Sequence, residues 1–173
     1  AERRHGKERL IADEKVADEE RFVRFLPAYN PESAYRKFIR KHAKVKADGW
    51  LEVPEIGEPY SEDHFVAQMK GNALSPELSH NSWAVFRANC SPQEALGKIV
   101  IIHHEGIEDA NFGQKNMTIR KFELERLRPE NSLFETLMVL LVATAEGVEA
   151  IQLRNVSSDS GLEIAGMMIA LVV

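Results

Sequence analysis

The stretch "HFVAQMKGNALSPELSHNSWAVFRA", His64 to Ala88, carries two short alternating runs, His64–Lys70 and Ser82–Ala88. Between them lies "GNALSPEL", Gly71 to Leu78, a Gly- and Pro-containing stretch of the kind that breaks a strand. Alternation with period two is the signature of a half-buried strand, and Trp83 with Val85 alternates as an inward face does. A Gly-containing octet between two strands is a place where folds put a reactive side chain. The position where a nucleophile is expected holds Ala73.

The same texture extends outward. From "GWLEVPEIGEP" at Gly49 onward, short apolar or alternating runs recur: "GKIVIIHH", "NMTIRKFELERL", "TLMVLLVA", "VEAIQLRN" and "LEIAGMMIALVV". Clusters such as "EDANFGQKN" and "SSDSG" separate them as turns. Many short strands with hairpin spacing predict a mainly β (α+β) fold, antiparallel and partly closed, over residues 49–173. Residues 1–24 are rich in charged helix formers and read as a helical linker or arm. Residues 25–48 read as a lead-in strand and helix, the helix opening at Pro31 and Glu32 with Tyr35, Phe38 and Ile39 at helical spacing.

Composition narrows the functional classes. The chain of 173 residues is 44% hydrophobic and 28% charged, a soluble balance with enough length for one core. Its longest apolar run, Leu133 to Ala145, is interrupted by Glu135 and falls short of the ~20 residues of a membrane helix. No membrane partner is expected. A single cysteine, Cys90, excludes an internal disulfide, and no secretory leader is visible, so the expected location is the cytoplasm. Net charge is −5, unevenly spread: residues 1–48 hold 13 Lys+Arg against 9 Asp+Glu, residues 49–173 hold 9 against 18. Nucleic acid is therefore expected to be met only indirectly or through the basic N-terminal arm.

The order of segments is the most informative signal. "GWLEVP", "HFVAQMKGNALSPELSHNSWAVFR", "GKIVIIHHEGIEDANFGQKNMTIRKFE" and "IQLRNVSSDSGLEIAGMMIALVV" together resemble, in sequence and spacing, the LexA-like serine peptidase family. The resemblance covers about residues 50–173, and "FVRFLPAYNPESAYRKF" looks like the lead-in of family members associated with helicase and defence proteins. It implies a LexA/signal peptidase-like β scaffold with a Ser-Lys dyad at the mouth of a groove. The family's Gly-x-Ser-Met-x-Pro motif falls on Gly71, Ala73, Leu74 and Pro76. The lysine of its "TVKRY" motif falls on Arg120, with Thr118, Ile119, Lys121 and Phe122 matching the neighbours.

The dyad needs both halves: a hydroxyl to attack, and a neutral amine, made so by burial, to take its proton. Ala73 has no nucleophilic atom. Arg120 stays protonated, because guanidinium pKa values lie above about 12. The resemblance therefore implies a catalytically inactive peptidase fold, its groove formed by Gly71, Asn72, Leu74, Ser75, Pro76 and Lys121 and used to bind protein or peptide. Two alternatives stand beside it. One is an active Ser-Lys type peptidase, self-cleaving or acting on another chain, whose nucleophile has been changed to Ala73. The other is a repressor-like dimerisation domain, forming a homodimer through the C-terminal strand. A Ser75–Lys121 pair would rescue catalysis only after a register slip, because adjacent side chains on a strand face opposite ways.

Other residues carry weaker signals. His103 and His104 are adjacent on a strand and point apart, with no third ligand placed by spacing, so no metal is expected. Asp109, Asn111 and Gly113 lack the full ligand run of a calcium loop and read as a polar hairpin. Trp50, Trp83 and Phe86 read as core, and Arg87 and Arg120 as strand-face charges. No phosphate-binding loop appears, and no cofactor is expected.

Overall fold

The alternating runs become strands because each can bury one or both of its faces. The computed structural model describes residues 9–127, 130, 136–154 and 161–172. Its strands are β1 (Phe25–Ala28), β2 (Gly49–Glu52), β3 (His64–Gln68), β4 (Trp83–Arg87), β5 (Ile99–His103), β6 (Met117–Leu127), β7 (Thr136–Val142), β8 (Ile151–Arg154) and β9 (Glu163–Val172). Helices α1 (Pro31–Phe38) and α2 (Pro92–Ala95) complete the main elements. The protein is mainly β.

The strands form one sheet in the order β2-β1-β3-β4-β9-β5-β6-β7-β8. Its ladders are antiparallel apart from the parallel contact of β1 with β3 at Ala28 and Val66, so the sheet is mixed. Partial closure, expected from the many short runs, is not supplied by any ladder among the described residues. β2 instead takes Ile11 on its outer side, with Ile11 and Trp50 exchanging both backbone hydrogen bonds at 2.8 Å.

Strands β3 and β4 are buried on both faces. Phe65, Ala67, Ala84 and Phe86 pack with Tyr35 and Phe38 of α1, while Val66, Trp83 and Val85 pack with Leu26, Leu51 and Val172. Burying each phenylalanine completely contributes about 2–3 kcal/mol. Gly166 of β9 lies against this layer; a Cβ there would come within 2.9 Å of Phe65 and 3.1 Å of Phe86. A third cluster, around Val100, Ile102, Phe122 and Leu141, fills the β5–β8 end.

Helix α1 begins where the turn chemistry places it. The Asn30 side chain accepts the Ser33 amide at 2.9 Å, and Pro31 occupies the first turn. Between β4 and β5, α2 opens with a capping box in which Ser91 and Glu94 bond reciprocally, and Arg87 pairs with Glu94.

The N-terminal arm differs from expectation. Residues 1–8 of it lie outside the described residues, as does most of the "SSDSG" turn. The rest holds two single 3-10 turns, Asp13–Lys15 and Asp18–Glu20, where an α-helix is expected. Val16 is buried against Phe25 and Trp50, and the Arg21 guanidinium lies 5.0 Å from the Trp50 ring centre. Anchoring to Trp50 overrides helix propensity here, because Leu10, Ile11 and Val16 do not form one helical stripe. Strand β1, from the lead-in at residues 25–48, sits between β2 and β3 in the sheet. No helix among the described residues is long and apolar enough to cross a membrane.

Candidate functional site

The octet Gly71–Leu78 is a turn tied down along its length. Gly71 has φ +86, and a Cβ there would lie 2.3 Å from the Asn111 carbonyl oxygen, so this backbone passes where only glycine fits. The Gly71 amide donates to His80 Nδ1 at 2.8 Å, and the Asn72 amide to Asn111 Oδ1 at 3.3 Å. Next, the Ala73 carbonyl accepts two amides, Thr144 at 2.8 Å and Ala145 at 3.0 Å. Leu74 and Leu78 are fully buried in the cluster that holds Phe65 and Ile119. Asn72 and Pro76 are exposed and Ser75 is half-buried, with its amide donating to Asn72 O at 3.1 Å.

Alternation along β6 separates the two basic candidates. Met117 and Ile119 belong to the cluster that receives Leu74 and Leu78, which puts Lys121 on that face; Phe122 belongs to the opposite cluster, which puts Thr118 and Arg120 there. Lys121 lines an open cavity of about 330 Å³ with Glu77, Lys98 and Thr144, and its Nζ lies 3.5 Å from Glu123 Oε1. Its side chain is 41% exposed.

Arg120 is enclosed. Its side chain is 4% exposed, as is that of Asp109, and its Nε donates to Asp109 Oδ2 at 3.0 Å. Thr118 Oγ1 donates to the same oxygen at 2.6 Å, while the Asn111 and Phe112 amides donate to Oδ1. Burial works against the Asp109 carboxylate, yet the hydrogen bonds from Thr118 and Arg120 and the Arg120 charge together hold it below its usual range. From its other end, Arg120 Nη1 donates to the Glu149 carbonyl at 2.8 Å.

These bonds define what Arg120 does. Asp109 stands two residues before Asn111, which holds Asn72; Glu149 stands four residues after Ala145, which holds Ala73. Arg120 thus joins the two loops that flank the Gly71–Ala73 turn. Rather than standing at an open groove mouth, Ala73 and Arg120, the two positions expected of a dyad, are buried, each 3% exposed. A methyl group and a guanidinium engaged by a carboxylate offer neither a nucleophile nor a proton acceptor.

The reading of Asp109 as part of a polar hairpin does not reach its buried pairing with Arg120. The available signal was Thr118 and Arg120 sharing a strand face just after that loop, which leaves a buried cation in need of an acid. Trp50, Trp83 and Phe86 are core, as expected of aromatics on strands. His103 stacks on Tyr35 with ring centres 4.3 Å apart, and His104 Nδ1 instead accepts the Gly106 amide. Comparison with protein-family models, curated proteins and solved structures finds no match to this chain.

Proposed function

We propose that the chain is a catalytically inactive LexA-like, peptidase-fold domain that works by binding protein, and that it pairs with a second copy through the outer half of β9. The observation that carries this reading is the split pairing of β9. Its first half, Glu163–Met167, is bonded to β5 on one side; its second half, Met167–Val172, is bonded to β4 on the other. From Met168 onward the side away from β4 has no ladder partner among the described residues.

An unpaired strand edge invites another strand, and Leu171, 39% exposed at this edge, adds apolar surface. A second copy offers the same edge antiparallel across a two-fold axis, so one patch serves both partners. This fits the resemblance, since LexA-like domains pair in this region. The replaced dyad positions support the inactive half of the reading. A bacterial DNA-transaction or defence assembly is the setting that the resemblance suggests.

Solution mass against concentration tests it. The expected result is a concentration-dependent dimer, lost in Leu171→Lys while the circular dichroism spectrum stays unchanged. A monomer at every concentration would sink self-pairing and favour an added peptide from a different protein.

A further inference from the structure

The positive charge of the N-terminal region is concentrated in one place. Residues 1–24 hold seven Lys+Arg and seven Asp+Glu, whereas residues 25–48 hold six against two. Those six cations, Arg36, Lys37, Arg40, Lys41, Lys44 and Lys46, fall within eleven residues, and no acid lies between Ser33 and Ala47. None of the six is ion-paired among the described residues. Like charges gathered without counter-charges repel one another, so this cluster asks for an explanation.

The fold keeps four of them together in the open. Arg36 stands in the last turn of α1, and the backbone beyond it stays close: the His42 amide returns to the Arg36 carbonyl at 3.0 Å, and the Val45 amide to the His42 carbonyl at 3.4 Å. Lys41 has φ 57, the left-handed conformation in which glycine or asparagine usually closes a helix. Arg36, Arg40, Lys41 and Lys44 are exposed. Lys37 and Lys46 mark the border, because they line a cavity of about 840 Å³ together with Asp13, Asp48, Glu62 and Asp63. On the side of β9, the Tyr35 hydroxyl donates to Glu163 at 3.0 Å and accepts from Arg40 Nε at 3.0 Å. The negative end of a helix favours cations only within its last turn, which accounts for Arg36 but not for Lys41 and Lys44.

The side chains between these cations select the kind of polyanion. Phe38 is buried, and Ile39 and Val45 pack against the core, so only Ala43 offers exposed apolar surface on this stretch and nothing is poised to enter a lipid layer. Tyr29 and Tyr35 are buried as well, with Lys37 Nζ 5.1 Å from the Tyr29 ring centre and the Arg40 guanidinium 5.6 Å from that of Tyr35. No aromatic face is therefore open for an unpaired base to stack on. What remains is a helix end of unpaired cations, which matches phosphates. A duplex carries one negative charge per ~1.7 Å of its axis, so several cations meet phosphates wherever along the duplex the helix end rests. We propose that Arg36, Arg40, Lys41 and Lys44 bind the phosphate backbone of a nucleic-acid duplex without reading its bases. This binding does not rest on pairing through β9.

Fluorescence anisotropy of a labelled DNA duplex, about 20 base pairs long and titrated with the full chain at about 50 mM salt, tests it. The expected result is saturable binding with Kd on the order of 10 µM, and a slope of log affinity against log salt of about −3, as three or four phosphate contacts give. A duplex of unrelated sequence should bind within about twofold, and the single strand more weakly. Lys41→Gln/Lys44→Gln, with an unchanged circular dichroism spectrum, should lose about tenfold in affinity and flatten the slope by about 2; Lys44→Gln alone should flatten it by about 1. Arg3→Gln/Arg4→Gln, which removes cations from the other end of the N-terminal region, should cost less than about twofold. Four results would each overturn the proposal: no binding at low salt, unchanged affinity in the double lysine variant, an equal loss in the Arg3/Arg4 variant, or tighter binding to the single strand or to phosphatidylserine vesicles.

Discussion

Arg120 and Asp109 meet at 3.0 Å, from β6 and from the loop before it, with both side chains 4% exposed. The pair couples strand and loop inside the protein, and the second guanidinium arm extends the coupling to Glu149. At this position an arginine is worth more as a strut than as a remnant of catalysis. A lysine would reach with a single ammonium, whereas the planar fork reaches two loops at once.

Removing the cation alone should be costly. Arg120→Met leaves the Asp109 charge buried without its partner, and a loss of about 3–5 kcal/mol is expected in chemical denaturation. Arg120→Met/Asp109→Leu should lose distinctly less, because no charge is left uncompensated. A loss of under about 1 kcal/mol for the single change would place the pair among exposed ones.

Acid should weaken the same pair. Asp109 is held below its usual range in the folded protein, while the unfolded chain titrates near 3.9. The folded state therefore favours the carboxylate; the resulting stability is fully present above about pH 5 and fades as pH falls through the unfolded value toward the lower folded one. Urea unfolding of the native chain and Asp109→Asn should accordingly converge between about pH 5 and about pH 2. A stability difference independent of pH across that window would remove the carboxylate as its source.

Gly71→Ala tests the turn. The new methyl would meet the Asn111 carbonyl in a left-handed conformation, φ +86. Backbone strain alone costs roughly 1–2 kcal/mol, and the clash adds to it. Lower melting temperature and faster amide exchange at Asn72, Thr144 and Ala145 are expected. Unchanged exchange at these amides would show that the turn does not depend on this approach.

No peptidase or self-cleaving activity is expected from the native chain or from Ala73→Ser. Combining Ala73→Ser with Arg120→Lys should also fail while Asp109 remains, because a carboxylate beside the introduced amine keeps it charged. Fluorogenic peptide assays and mass spectrometry of the incubated chain measure both outcomes. Cleavage by the native chain that Ser75→Ala abolishes would restore catalysis to this turn. Cleavage by Ala73→Ser alone would put the base elsewhere, with Lys121 the first residue to replace.

What the sequence makes legible follows from the range of the interactions concerned. Runs such as "HFVAQMK" and "SWAVFRA" announce strands because short apolar and alternating runs between turn residues are written locally, although the burial of both their faces is not. Asn30-Pro31 likewise announces α1, since the cap and first turn lie within a few residues. The arm at residues 9–24 misleads because its charges suit a helix, while Trp50, distant in sequence, decides its conformation. Asp109 misleads for a related reason: an acid in a polar loop looks the same whether it faces water or a buried arginine. Motif spacing proposes Ala73 and Arg120 as dyad positions, but it carries nothing about their burial, which depends on loops with no fixed spacing from them.

The central place of β9 has a consequence for how the chain is made. β4 and β5 are never hydrogen-bonded to each other; each pairs with β9 between them. On the ribosome both emerge long before it, two bare edges close in sequence and free to join in the wrong hairpin. The connection between them contains α2, closed by its Ser91–Glu94 capping box and tied to the end of β4 through Arg87. In the finished sheet β4 and β5 stand two strand spacings apart, about 9–10 Å. A short rigid helix in that connection works as a spacer, keeping open in the nascent chain a slot one strand wide until Glu163–Val172 arrives to fill it.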